Sequence, residues 1–272
     1  TSSVGVATVL GADLGSALVI QILSFNLTWL APVCLIVGGI LFFKGKRRNF
    51  KQTGRILVGV ALILISLKLL AESTAPLRQN EVVPIIVDYL TSDLISTFLF
   101  GAVFTWLIHS SIASLLLIVA FVAQAIIPID VAAALVLGAN TGGAFIAVIL
   151  ARNLNTRGQV VPLSNFCLRG VAAVLVLAII HILGTPTILS NLSPVQQVVS
   201  FHIGFNMLLV VMGLPFVKPI TRVLLKIMSD GRINNDQPLS SRQSGLKEAD
   251  IKLPTRALAA TTRELLYLAE SV

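Results

Sequence analysis

Charge is scarce in this sequence. Asp, Glu, Lys and Arg together make up 12% of its 272 residues, roughly half the share of an ordinary globular domain. With 56% hydrophobic residues and a mean hydropathy of +0.92, the chain has too little polar surface for a water-soluble fold. Acids are scarcer than bases, 12 against 20, for a net charge of +8. That excess does not point to nucleic acid, because the bases sit in loops and a tail beside apolar spans, where they orient a membrane protein. Only two cysteines occur, Cys34 and Cys167, each inside an apolar stretch, so neither a disulfide framework nor a metal site is indicated. No signal peptide pattern opens the chain, and its first residue is not Met, so it reads as a piece of a longer protein. Alternation of polar and apolar residues is also missing, which excludes a transmembrane barrel and leaves helices.

Apolar runs at 4–25, 27–43, 54–71, 94–126 (interrupted), 131–150, 160–183 and 196–217 approach the roughly 20 helical residues that a bilayer core takes. Between the second and third lies KGKRRNFKQTGR, with six basic residues and no acid, which places that loop in the cytoplasm. The connection Glu72 to Asp93 holds one base, Arg78, and belongs outside. Arg152 and Arg157 mark an inner loop, the uncharged 185–194 an outer one, and Lys218, Arg222 and Lys226 return the chain inside. From Asp230 the composition turns polar and rich in Gly, Ser and Asn, too poor in apolar surface to fold alone. A helical pattern resumes at LPTRALAATTRELLYLAE. The expected organisation is a transmembrane domain over 1–220, a linker over 221–250 and the start of a cytoplasmic helical domain over 251–272.

An internal repeat lies in the apolar part. SVGVATVLGADLGSALVIQIL, from Ser3, aligns without a gap on DVAAALVLGANTGGAFIAVIL, from Asp130, at a shift of 127. Gly11 and Gly15 recur as Gly138 and Gly142, and between them Asp13 matches Asn140. The register puts Ser3 and Asp130 at equivalent N-cap positions. Asp13 and Asn140 then lie about 15 Å into their helices, near the middle of a bilayer core. By the loop charges the first copy ends outside and the second inside, so the copies are inverted, an arrangement found in secondary transporters. A carboxylate at that depth costs at least about 2.5–3.5 kcal/mol unless a partner or polar cavity meets it. Asp13 is therefore expected to bind a cation.

GAVFTWLIHSSIASLLL interrupts the 94–126 run. Thr105 and His109 are four apart, as are Ser110 and Ser114, so hydroxyls and imidazole can gather around one break. There, N–H groups opening a half-helix suit anions and carbonyls closing the preceding one suit cations. Taken with VLGANTGG, its partner VLGADLGS and the later SFHIGFN, this pattern resembles the type II sodium/phosphate cotransporter family over about residues 1–220. The final LPTRALAATTRELLYLAE resembles the opening of a PhoU-like domain. Against the family's Gln-Ser-Ser element this chain has His109 in place of Gln and Ile112 in place of a third Ser, and Asp13 stands where Asn is preferred.

The resemblance implies an all-α integral membrane protein with two inverted-topology repeats, broken helices and a re-entrant hairpin, in the cell inner (plasma) membrane. It implies secondary transport of inorganic phosphate coupled to sodium, with no cofactor. Substrate contacts fall on Ser110, Ser111, His109, Thr105, Asn140, Thr141 and Gly138; coupling-ion contacts fall on Asp13, Ser114 and Ser16. Read from the residues alone, Ser110 and Ser111 also suit helix packing, His109 a satisfied core position, and the glycines close helix approach. His202 and Asn206, four apart, match an FHxxFN-like element and are expected to support the site. Gln21 and Arg169 take no assignment. Other small anions, proton coupling and a phosphate-sensing role stay open, as does a homo-oligomer; nothing assembles a nucleophile, a base and an orienting acid, so an enzyme is not expected. In a cysteine-free background, cysteines placed in 185–194 should react with an impermeant external thiol reagent and cysteines in 44–55 should not; the opposite pattern would reverse the orientation of the first copy.

Overall fold

A computed structural model describes residues 2–25 and 29–230. Its main elements are α1 (Ser2–Leu23), α2 (Leu30–Lys44), α3 (Arg48–Thr74), α4 (Val82–Ser92), α5 (Leu94–Ile108), α6 (Ser111–Ala123), α7 (Ile129–Leu150), α8 (Thr156–Leu183) and α9 (Pro194–Asp230), joined by short turns of 3₁₀-helix. Among the described residues there is no strand. Five helices, α1, α3, α7, α8 and α9, are long and apolar enough to cross a membrane. The chain is an all-α membrane protein, as the composition requires. Residues 231–272, which carry most of the expected linker and the expected PhoU-like segment, lie outside the described residues; α9 itself continues through Asp230.

Helix α7 is the centre of the packing. Every residue from Val131 to Asn140 is buried, the pattern of a helix apolar on all sides, and α5, α6 and α8 pack around it. Glycine makes the α5 contact possible, because a Cβ on Gly138 would run into the Phe98 carbonyl oxygen and one on Gly142 into that of Ala102. In return, a Cβ on Gly101 of α5 would strike the Leu135 carbonyl. The two backbones touch. Small residues serve this purpose in helical membrane proteins.

A shift of 127 carries the bounds of α1, Ser2–Leu23, onto those of α7, Ile129–Leu150. The environments differ. On α1 the aligned Gly11 and Gly15 have nothing within 4 Å of a Cβ, and α1 packs chiefly on α8.

Several local expectations need correction. Neither glycine element breaks its helix; α1 and α7 run through them unbroken. Asp130 is not an N-cap: Pro128 holds the boundary with extended backbone, and Asp130 lies in the first turn, where its charge faces the positive end of the helix dipole. Ser3 likewise lies inside α1. Much of the basic loop is the opening of α3, which begins at Arg48, because hydropathy marks where a helix becomes apolar and not where it starts. Finally, the Glu72–Asp93 connection contains α4, bent by 111° against α5. Asp93 makes that corner by accepting the Ile95 and Ser96 N–H groups at 3.0 and 3.1 Å, a side-chain cap on α5.

The contrast between the two glycine pairs is testable by thermal unfolding in detergent. Gly142→Ala should lose about 1–3 kcal/mol or more, the cost of overpacking against a fixed backbone. Gly15→Ala, in open space, should gain roughly 0.5–1 kcal/mol from helix propensity.

Candidate functional site

The break in the 94–126 run falls between His109 and Ser110. His109 closes α5 in the left-handed region (φ 58°, ψ 24°), its N–H donating to the Thr105 and Trp106 carbonyls at 3.0 and 3.3 Å. Histidine is among the non-glycine residues enriched in that conformation. Ser110 is extended and caps α6, its Oγ accepting the Ala113 N–H at 3.2 Å, while its carbonyl accepts the Ser114 hydroxyl at 3.0 Å. Ser111 packs on Gly143 of α7, where an added Cβ would come within 3.0 Å of the serine Cβ. Thr105, fully buried, has a hydroxyl with no hydrogen-bond partner among the described residues. His109 is exposed, with Nδ1 3.1 Å from the Leu107 carbonyl.

A second polar cluster lies on other faces of α7 and α8. Arg169, 5% exposed, sends Nη2 to Asp13 Oδ2 at 2.9 Å and to Asn206 Oδ1 at 2.7 Å, and Nη1 to the Asn140 carbonyl at 3.2 Å. Asn165, one turn before Arg169, donates to Asp13 Oδ2 at 3.4 Å. The amide of Asn206 reaches Asn140 Oδ1 at 3.4 Å and the His202 carbonyl at 2.9 Å. Asn140 Nδ2 donates to the Val136 carbonyl at 2.8 Å and lies 3.1 Å from His202 Nδ1. Helices α1, α7, α8 and α9 thus each contribute polar side chains to one buried network around a single cation.

These geometries sort the residues named from sequence. His109, Ser110, Ser111, Thr105 and Ser114 gather at the α5–α6 break. Asn140 belongs to the buried network, and Thr141 and Ser16 are turned to their own helices, donating to the Leu137 and Asp13 carbonyls at 3.0 and 2.7 Å. Gly138 is a backbone contact with α5. Asp13 has a partner, and it is Arg169. The two clusters meet on α7 within one turn, Asn140 to Gly143. Arg169 is the residue that sequence reasoning left unassigned; its signal was a lone guanidinium inside the 160–183 run, which needs a counter-charge as much as Asp13 does.

Long apolar helices, a helix break lined by hydroxyls and a buried ion pair define a multi-pass membrane protein with a polar interior of the kind that handles ions. A sequence model of the Na+/Pi-cotransporter family matches residues 1–72 and 78–218, and the chain belongs to that family. It is 33% identical over 267 residues to the Escherichia coli K12 protein named "Putative inorganic phosphate export protein YjbB", covering 97% of this chain and 48% of that one. To the Salmonella typhimurium protein of the same name it is 31% identical over 264 residues, with the same coverage. An uncharacterized Bacillus subtilis protein, YqeW, is 24% identical over 218 residues, 79% of this chain and 70% of that one. No solved structure matches. The chain spans about half the length of the curated YjbB relatives it matches.

Asn206 joins the guanidinium to Asn140, so Asn206→Leu should lower stability by about 1.5–3 kcal/mol, the range for a hydrogen bond to a charged group. Thr8→Ala, which removes an exposed hydroxyl bonded to its own helix at Val4, should stay within about 0.5 kcal/mol of the parent. Thermal unfolding of the two variants side by side checks both.

Proposed function

We propose that the protein moves inorganic phosphate across the plasma membrane by alternating access, with sodium as the coupling ion and no covalent chemistry. The observation that carries this reading is the α5–α6 break inside a chain of the Na+/Pi-cotransporter family. A 13-residue helix starting within the domain directs N–H groups and the positive end of its dipole at one place, where the Ser110 and Ser111 hydroxyls add donors. Donors without a fixed opposing charge suit a small oxyanion. Thr105, Asn140 and Thr141 complete the substrate side, with His109 at its edge and Gly138 letting α5 lie against α7. Ser114, Ser16 and Asp13 serve the coupling ion. The repeat of α1 in α7 supports two inverted halves, and so a site reached alternately from each side. Phosphate export in the printed name of the relatives makes outward movement the direction to test first.

Labelled phosphate flux in proteoliposomes of the full-length protein, under imposed sodium or proton gradients, tests the reading. Sodium-driven flux supports it. Flux that follows the proton gradient alone would assign the coupling to protons, and binding without flux would make the protein a sensor. Ser110→Ala combined with Ser111→Ala should lower flux about tenfold or more at limiting phosphate, the value of one to two lost hydrogen bonds. Membrane insertion should be intact, because removing hydroxyls lowers the polar cost of the segment. Undiminished flux in the double variant would leave the serines with a packing role.

A further inference from the structure

We propose that Arg169 is the charged contact for the transported phosphate and that Asp13 is a tethered carboxylate holding the same guanidinium between transport events, so that substrate and side chain compete. The inference rests on the phosphate-transport reading above and names a residue that sequence reasoning left without a role.

Three observations carry it. The first is position. Asp13 and Asn140 occupy the same place in the two repeat copies, and one guanidinium reaches both, Asp13 through its carboxylate and Asn140 through its main-chain carbonyl. Arg169 therefore sits between equivalent points of the two halves. It also touches the turn of α7 on whose far end, at Gly143, Ser111 packs.

The second is valence. A guanidinium binds phosphate or carboxylate through a fork of two parallel N–H donors. Nε and Nη2 form one such edge in Arg169; Nη2 is shared between one oxygen of Asp13 and Oδ1 of Asn206, while Nε has no partner among the described residues. An oxyanion with several oxygens can satisfy both donors. Asn165 Oδ1, one turn before Arg169 on α8, is also buried without a partner among the described residues.

The third is access. The Asp13 side chain is 27% exposed and that of Arg169 6%. Among the acceptors on Arg169, only Asp13 carries charge; Asn140 and Asn206 are neutral. An arriving anion meets the replaceable partner first and leaves the neutral ones in place.

Exchange has a consequence for coupling. When phosphate takes the guanidinium edge, Asp13 loses its counter-ion and becomes a partly buried carboxylate in need of a cation. Anion binding thus creates the cation site, which reconciles the cation role expected of Asp13 with its pairing to Arg169.

The test uses the full-length protein, with labelled inorganic phosphate flux in proteoliposomes and thermal unfolding in detergent across a phosphate titration. A tethered competitor scales apparent affinity by the fraction of time the guanidinium is free. If that fraction is about a tenth without sodium, Asp13→Asn should in sodium-free buffer lower the half-saturating phosphate concentration about tenfold and gain more thermal stabilisation from phosphate than the parent, and it should lose the response to sodium. Asp13→Asn with Arg169→Gln removes both charges together and should show neither flux nor a phosphate-dependent thermal shift. Arg169→Lys, which keeps the charge without the fork, should raise half-saturating phosphate about tenfold and so reports on the guanidinium even if the double variant does not fold. An Asp13→Asn protein with unchanged or raised half-saturating phosphate, or a double variant that transports like the parent, would overturn the exchange while the parent's flux upholds phosphate transport. A parent that neither binds nor moves phosphate would overturn both.

Discussion

A guanidinium inside a helical membrane domain cannot stand alone, and the requirement to surround Arg169 organises the interior of this protein. Removing a charge from water costs several kcal/mol, which is recovered only with good geometry and satisfied hydrogen bonds. Arg169 meets this with one carboxylate from α1, one amide oxygen from α9 and one main-chain carbonyl from α7. Each partner is itself held: Asn206 by the His202 carbonyl, Asn140 by Val136. Four helices are drawn to one point by a charge that none of their apolar surfaces could specify. Apolar side chains match lipid tails and give little driving force for helix association in a bilayer, so the polar centre sets which helices meet and in what register.

Close backbone approach is the second constraint, and it places the helix break. Because Gly138 and Gly142 lack side chains, α5 lies directly on α7, and the end of α5 is carried to the level of Gly143. There the left-handed backbone at His109 and the extended backbone at Ser110 reverse the chain. The start of α6 is thereby set beside the turn of α7 that Arg169 touches. A larger residue at either glycine would push α5 outward and take the serines with it. The phosphate recognition proposed at the break would therefore depend on a contact that contains no polar side chain.

Much of this was legible in the sequence, and the limits are physical. Long apolar runs showed the membrane helices because burial in lipid demands uninterrupted hydropathy. The two glycine-paired segments each fall within one helix, with ends offset by the same 127 residues, and the break was visible as His-Ser-Ser inside an apolar run. Boundaries were less legible. The start of α3 is charged, α4 is too short to read as a span, and Pro128 rather than Asp130 holds the cap position of α7, since the ends of helices are decided by local backbone geometry that hydropathy does not report. Partner choice was hidden for another reason. Asp13 and Arg169 are 156 residues apart in sequence, each conspicuous alone, and only the packing of α1 on α8 brings them together.

The two copies of the repeat show how one pattern can serve two purposes. On α7 the glycines are filled by a neighbouring backbone and the polar residue between them is neutral, amide-bonded and 2% exposed. On α1 the same glycines face open space, and the polar residue is charged, partly exposed and paired with the buried cation. A neutral amide suits the copy that is locked in place, because it can be satisfied locally at Val136 and His202 without a counter-charge. A carboxylate suits the copy that lies at the edge of the described packing, because there it is partly exposed and still within reach of the buried cation. Had the residues been reversed, the carboxylate would be sealed behind α5 and α9 and the amide would leave Arg169 without charge compensation. The difference between Asp13 and Asn140 therefore follows from the different burial of two helices that begin and end at equivalent residues.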